Sequence, residues 1–533
     1  MTRRKGLRIS VLVACSTAAA LLAQVLGQGV SAAPPARPAV GVRPAPAPVK
    51  PGQKPVATVQ AGPKLVLLIV ADQFRADNLT RWSHLLSEGG LKKLMTQGAR
   101  AIGRYGQQNT YTGPGHALIA TGSYGYLNGI TQNKFWNRQA GRAESMLYDG
   151  NVKIIGEKDL SLEDDSSPRN LIGSTVFDEL RFANKDSKVV SVSLKARGAI
   201  LLGGHTGQAY WFSDQSGEMT TSTFYGPDTA EWVKRWNSGK MADKLFGKVW
   251  DRLLPESAYT NIDASPHEAD LKGLGRVFPH PTNAKQQAPG PGYYESINYT
   301  PTGLEIQMDF ARAAIDGEQL GQRGVTDALA ISVSGTDLAG HLFGPYSHEY
   351  QDMVLRFDRA VEKLLQDLEK KFKPGELVVA FTADHGAAPI PEEAMQKSLL
   401  AGRVRKGIVK DTVQKALSQF YSTQGEWVAA LEDPSVYISP KMIAQSKADP
   451  AQVESALINL TVNAREPRHF VHHPRGCGAD GGRRHRLLHA NADDARLGSA
   501  DRCCDGRRAQ LLPVTRRRAG AGDGAVLLLG QVR

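Results

Sequence analysis

Five side chains stand out by type and placement: Asp72, Asp337 with His341, and Asp384 with His385. Carboxylate oxygen and imidazole nitrogen are the donors that hard and borderline divalent metals take. A lone Asp after an apolar run is ordinarily a turn or cap residue. Three such acids, two with a histidine close by, point instead to a metal centre. The Asp-x-x-x-His spacing of Asp337 and His341 lets both side chains face one ion if that segment turns like a helix. Asp384-His385-Gly386 places two donors at a single chain position. A separate run, Tyr111-Thr112-Gly113-Pro114-Gly115-His116, precedes the apolar Ala117-Leu118-Ile119. Gly and Pro at the start of an apolar helical segment put Thr112 at a helix N-terminus, where N–H groups and the dipole favour anions. Taken alone, Thr112 reads as an ordinary N-cap residue.

The acids need elements that bring them together. Three apolar runs end on them: Leu65 to Ala71 before Asp72, Ala328 to Val333 before Asp337, and Leu377 to Ala383 before Asp384. Continuous apolar runs of this length read as parallel strands buried on both faces. In open α/β sheets ligands bind beyond the carboxyl ends of the strands, so the acids converge on one edge. Between the second and third runs, Tyr350 to Phe372 carries Val354, Phe357, Val361, Leu364, Leu365 and Leu368, the stripe of an amphipathic crossover helix. Val189 to Leu194 reads as a further strand leading into Lys195-Ala196-Arg197. Residues of about 206–303 are rich in Trp, Tyr, Pro and Gly and have poor periodicity, so they are expected to form an inserted cap. Trp211, Trp232, Trp236 and Trp250 lie there. They offer either a substrate-facing wall or, more commonly, the insert's own small core. The expected fold is a three-layer α/β/α sandwich with a mostly parallel sheet and this inserted cap.

The 533 residues leave ample chain for a large core. Arg3-Arg4-Lys5 and Arg8, an apolar stretch from Ile9 to Leu26, and small residues up to Ala33 form a secretory signal layout over 1–33. Ser16, Thr17 and Gln24 interrupt the apolar stretch, which argues against a stable membrane span after cleavage. Leu12-Val13-Ala14-Cys15 resembles a lipoprotein box, a weaker alternative to a periplasmic or secreted product. Residues 34–63 are Pro/Ala-rich and read as a tether. The catalytic body is expected over 64–468. The net charge of +12 sits at the two ends, leaving the body near neutral. A basic nucleic-acid-binding face is therefore not indicated. The body has no cysteine, since Cys15 lies in the signal and Cys477, Cys503 and Cys504 in the tail, so no disulfide framework holds the body.

After Pro467 the chain changes character. Over 469–533 it has no Lys and no Glu, and it carries Arg-rich runs such as Arg516-Arg517-Arg518. Only Ala525 to Leu529 keeps an apolar pattern. A disordered basic tail is one reading. The codons for Arg468 to Arg475, read one base over, can spell an apolar/polar mix suited to continuing the fold, and this points to a frameshift near Arg468.

Thr112-Gly-Pro-Gly-His, Asn133, Lys195-Ala-Arg197, Asp337-x-x-x-His341 and Asp384-His385-Gly together resemble the threonine-type alkaline phosphatases and their relatives, the nucleotide pyrophosphatase/phosphodiesterases. The resemblance covers about Lys64 to Arg468. It implies two zinc ions, with Asp72, Asp384 and His385 holding the one that activates Thr112, and Asp337 and His341 holding the other. It implies Thr112 as nucleophile, a phosphothreonine intermediate, and Asn133, Lys195 and Arg197 as donors to the phosphate oxygens. The family completes its second zinc site with a histidine from a C-terminal His-Gly segment. Here His469, His472, His473, His485 and His489 lie in the anomalous tail and none precedes Gly, so the second site is expected to be incomplete. Two cations at the phosphate favour a small monoester dianion over a diester. A phosphodiesterase or nucleotide pyrophosphatase stays open as the alternative, as does a catalytically impaired relic. No Cys-x-Pro-x-Arg or Ser-x-Pro-x-Arg segment supports a sulfatase. Oligomeric state is not legible.

Overall fold

The computed structural model describes residues 62–463, apart from 108, 158–159, 271 and 433–434, together with 526–531. The expected signal, all but the end of the tether, and the tail except 526–531 lie outside the described residues, as do all five tail histidines.

The central sheet contains β1 (Leu65–Ala71), β2 (Ala99–Ile102), β3 (Val189–Ser193), β4 (Gln208–Phe212), β5 (Met219–Thr220), β6 (Asp327–Val333), β7 (Leu377–Thr382) and β8 (Val526–Gln531). Their order is β2-β8-β7-β1-β6-β3-β4-β5. β7, β1, β6, β3 and β4 run parallel, while β8 and β5 pair antiparallel to their neighbours. The three apolar runs that end on acids are thus adjacent strands. Ala71 pairs with Val333, and Val70 with Thr382, so the chain leaves all three at one edge.

Alternation along β1 supplies both faces of the sheet. Leu65, Leu67 and Ile69 share a cluster with Phe310 of α3 (Pro301–Gly317) and with Val354, Phe357 and Val361 of α5 (His348–Glu369). Leu68 and Val70 face Ala120 of α1 (Thr112–Thr121) and Leu202 of α2 (Ala196–Gly203). The result is the expected α/β/α layering. α4 (Gly335–Phe343) fills the connection from β6 to α5. α5 starts two residues before the expected Tyr350 because Ser347 Oγ caps it, accepting from the Tyr350 N–H at 3.0 Å. Each apolar side chain of its stripe is buried, which contributes roughly 1.5–3 kcal/mol apiece.

The expected insert at about 206–303 begins too early. Gln208–Phe212 is the sheet strand β4, paired in parallel with β3. Ala209, Tyr210, Trp211 and Phe212 are all buried, and a strand covered on both faces shows no alternation to read. Nor do the tryptophans form a substrate wall. Trp232 and Trp250 are buried in the main core, Trp236 packs against it, and Trp211 is buried in the cluster over α2. Their indole N–H groups are anchored away from the acid edge: Trp232 to Glu318 at 2.7 Å, Trp236 to Asp309 at 2.9 Å, and Trp250 to Asp352 at 2.7 Å. A small satellite core around Leu417, Trp427 and Met442 lies beyond the sandwich. Gln132 ties it on, donating to Tyr437 Oη at 2.6 Å and accepting from Ser435 Oγ at 2.9 Å. Among the described residues no helix is long and apolar enough to cross a membrane.

Candidate active site

Asp72 leaves β1 while its N–H still bonds Val333 O at 3.0 Å, so its carboxylate is held at the sheet edge. Asp384 lies two residues beyond β7. Asp337 sits in the first turn of α4, and His341 one turn later on the same helix, with Nε2 at 3.1 Å from Asp337 Oδ1. The helical spacing expected of that pair is present. His385 Nε2 lies among the acids, at 3.2 Å from Asp72 Oδ1, 3.6 Å from Asp384 Oδ2 and 3.8 Å from Asp337 Oδ1. Asp72, Asp337 and Asp384 are buried, and so is His385, whereas the His341 side chain is 66% exposed.

Among the described residues, Asp72, Asp337 and His385 have ligand atoms within 4.8 Å of one another, while Asp337 also keeps His341 at 3.1 Å. Lys195 explains the convergence, because its Nζ pairs with Asp72 Oδ2 at 2.8 Å and with Asp337 Oδ2.

Thr112 is the first residue of α1, and the residue before it, Tyr111, occupies the cap position. The Thr112 side chain makes no capping bond. Its Oγ1 lies instead 3.5 Å from Asp72 Oδ1, so the ordinary-cap alternative does not describe it. Gly115 lets α1 come this close, because a Cβ there would overlap the Asp384 backbone. Asn133 accepts from the Gly113 N–H at 2.8 Å, which sets its amide beside the start of α1 with the NH2 end as the donor. Lys195 precedes α2, and Arg197 lies in the first turn of that helix. Arg197 is not drawn to the acid cluster; its Nε donates to Asp165 Oδ2 at 2.8 Å, and Asp165 Oδ1 accepts from Ser145 Oγ.

Three further residues belong to the site and were not assigned a role from the sequence. His116, fully buried one turn after Thr112, places Nδ1 2.9 Å from the Thr112 carbonyl and 3.1 Å from Asp384 Oδ2, and Nε2 2.8 Å from Ser332 Oγ. Gln73 contacts both Asp337 and Asp384. Asp165 holds Arg197. His116 was visible in the Thr112 motif, but Gln73 and Asp165 carry no local signal.

Burial pushes the Asp72 carboxyl up, yet Lys195, followed by His385 and His116, outweighs it and holds the group well below the usual carboxylate range. Asp337 is lowered likewise: burial and Asp72 oppose ionisation, and Lys195 and His341 prevail. Asp384 goes the other way, raised by burial and by the Asp72 charge. Burial favours neutral His385, but Asp384, Asp72 and Asp337 push it up to about 10.

These residues fit a divalent cation. Three buried carboxylates in one site need compensating positive charge, which Lys195 and His385 supply in part. Asp384 Oδ2 is buried, and its neighbour His116 Nδ1, 3.1 Å away, is shared with the Thr112 carbonyl at 2.9 Å. A buried carboxylate oxygen with only a shared partner can serve as a metal donor, and the carboxylate-plus-imidazole set suits zinc.

Comparison with known proteins places the chain. Residues 66–484 match the family described as type I phosphodiesterase / nucleotide pyrophosphatase, a range that runs past the boundary expected near Arg468. Alkaline phosphatase PhoV of Synechococcus elongatus is 37% identical over 408 residues, 75% of this chain and 72% of PhoV. Alkaline phosphatase PafA of Elizabethkingia meningoseptica is 35% identical, covering 73% of this chain and 71% of PafA. The crystal structure of PafA superposes with a TM-score of 0.68 at 33% identity, over 76% of this chain and 77% of that one. A solved PafA variant is substituted at a threonine, an asparagine, a lysine and an arginine spaced along its chain as Thr112, Asn133, Lys195 and Arg197 are here. The chain therefore belongs to the type I phosphodiesterase / nucleotide pyrophosphatase family, within the alkaline phosphatase superfamily.

Proposed function

We propose that the protein is an exported, zinc-dependent hydrolase of small phosphate monoesters that works through a covalent phosphothreonine at Thr112. The observation that carries this reading is the placement of Thr112 Oγ1 and Lys195 Nζ on the two oxygens of one buried carboxylate, Asp72. The hydroxyl and a fixed cation thus share one carboxylate that is a candidate metal donor. Likeness to PhoV and PafA, both named alkaline phosphatases, supports the same chemistry.

Asp72, Asp337, Asp384, His341 and His385 would hold the metal, with Thr112 as the exchangeable donor. Zinc bound there would supply Lewis-acid charge stabilisation and would lower the pKa of the Thr112 hydroxyl. Thr112 Oγ1 attacks phosphorus in line; the Oγ1–P bond forms as the ester P–O bond breaks, and the alcohol departs. Asn133, Lys195 and Arg197 hold the non-bridging oxygens while their charge is redistributed. Water then attacks the phosphothreonine, releasing phosphate and restoring the hydroxyl.

The family description also names phosphodiesterases, which makes diester hydrolysis the second reading. Comparing kcat/KM on a nitrophenyl phosphate monoester and on its methyl diester, with zinc content measured alongside, decides between them. A faster rate on the monoester is expected. A clear preference for the diester overturns the monoesterase assignment, and absence of turnover by a fully metal-loaded chain overturns the enzyme reading.

A further inference from the structure

We infer that Gln73 is a positioning residue that fixes the orientation of Asp337 and Asp384 for metal binding, and that its unfavourable backbone is retained for the sake of its side-chain amide. The inference rests on the reading above that these carboxylates hold metal.

Gln73 directly follows Asp72 and has φ 59°, the left-handed region where glycine is the usual occupant. It is 4% exposed. The Asp72 N–H points to β6, and the Gln73 N–H points to the other side of β1, donating to Asp384 Oδ1 at 3.1 Å. The side chain reaches the opposite way, and Nε2 donates to Asp337 Oδ1 at 2.9 Å. One residue therefore grips two carboxylates that the sheet places on opposite sides of β1. Its carbonyl is fixed as well, accepting from Tyr350 Oη at 3.0 Å, and Tyr350 Oη in turn accepts from Asn78 Nδ2 at 3.0 Å. Tyr350 and Asn78 are both fully buried. The helix opposite makes room for the amide, since a Cβ on Gly340 would overlap Gln73 Oε1.

Backbone and side chain make separable demands at this position. The backbone alone asks for glycine, which would keep the N–H on Asp384 without strain. Only the contact to Asp337 asks for glutamine. Strain that persists in a buried residue touching two candidate ligands marks an orienting role.

The test uses the full chain and three variants: Gln73→Gly, Gln73→Met and Gly340→Ala. The methionine keeps length and volume but removes the donor. The alanine leaves every ligand and Gln73 in place and displaces the amide. Zinc affinity is measured by chelator competition, the cobalt(II)-substituted visible spectrum is recorded, and metal-free protein is melted in EDTA. Gln73→Gly is expected to melt in EDTA at or above the wild-type temperature, yet to bind zinc roughly 10–100-fold more weakly, the usual cost of losing an outer-shell partner. Gln73→Met and Gly340→Ala should weaken zinc binding in the same direction, and all three should alter the cobalt spectrum. Zinc affinity and cobalt spectra like those of the wild type in the variants that fold overturn the assignment, whatever the melting temperatures. Failure of the wild type itself to bind zinc defeats the metal reading first, an outcome visible in the control before any variant is compared.

Discussion

Replacing Lys195 by alanine separates the charge of the substrate from the rest of its binding. Lys195 Nζ is 2.8 Å from Asp72 Oδ2, and Thr112 Oγ1 is 3.5 Å from Asp72 Oδ1. Thr112 Oγ1 and the ammonium thus flank one carboxylate, and a non-bridging oxygen taken at about 4 Å from the ammonium sets the upper end of the effect. A monoester dianion brings one more unit of negative charge than a diester. One unit at about 4 Å in an effective dielectric of ~20 is worth about 4 kcal/mol. Lys195 is partly exposed and already shared with two carboxylates, which reduces this to about 2 kcal/mol, or ~30-fold in rate. Lys195→Ala should thus lower kcat/KM for nitrophenyl phosphate ~30-fold more than for methyl nitrophenyl phosphate, as the extra charge requires. The assay compares both substrates at one pH and salt concentration, with zinc content matched between wild type and variant because Lys195 also pairs with Asp72 and Asp337. Equal losses on the two substrates refute the argument, since they would mean that Lys195 serves the acids and not the phosphate.

Two other perturbations follow from contacts away from the metal donors. Asp165→Asn removes the charge that holds Arg197 Nε at 2.8 Å, and a charge-assisted hydrogen bond of this kind contributes about 1.5 kcal/mol. Monoester kcat/KM should fall ~10-fold with the melting temperature little changed, and an unchanged rate refutes a positioning role for Asp165. Glu268 is 4% exposed, and its Oε2 accepts no hydrogen bond; burial, then Glu349, Asp263 and Glu393, push its carboxyl from 4.5 up to about 9. Between those values the folded chain keeps a proton that the unfolded chain has released, so stability drops as pH rises, by at most about 1.4 kcal/mol per pH unit. Glu268→Gln should flatten that slope and raise the melting temperature at pH 8, and an unaltered pH profile refutes it.

The strands and their acids were readable because a parallel strand buried on both faces leaves a continuous apolar run, and β1, β6 and β7 do so. The crossover helix was readable because the stripe from Val354 to Leu368 repeats with the helical period. The pairing of Asp337 with His341 needed only helical geometry, which is local. Local pattern is silent elsewhere: the covered faces of β4 hide alternation and place it in the expected insert, and the Thr112 motif without the family resemblance reads only as a cap, because nothing in it reports Asp72.

The amino-acid sequence by itself determined which residue types end the strands, and so which chemistry the protein can support. Tertiary structure alone decided who meets whom. Gln73 reaches Asp384 across 311 positions and Asp337 across 264, and Lys195 reaches Asp337 across 142. Those meetings depend on strand order, with β1 between β7 and β6 and β3 on the far side of β6. Periodicity reports which face of an element is buried; it carries no information about which neighbour will cover that face, and the neighbour is what turns three separate acids into one site.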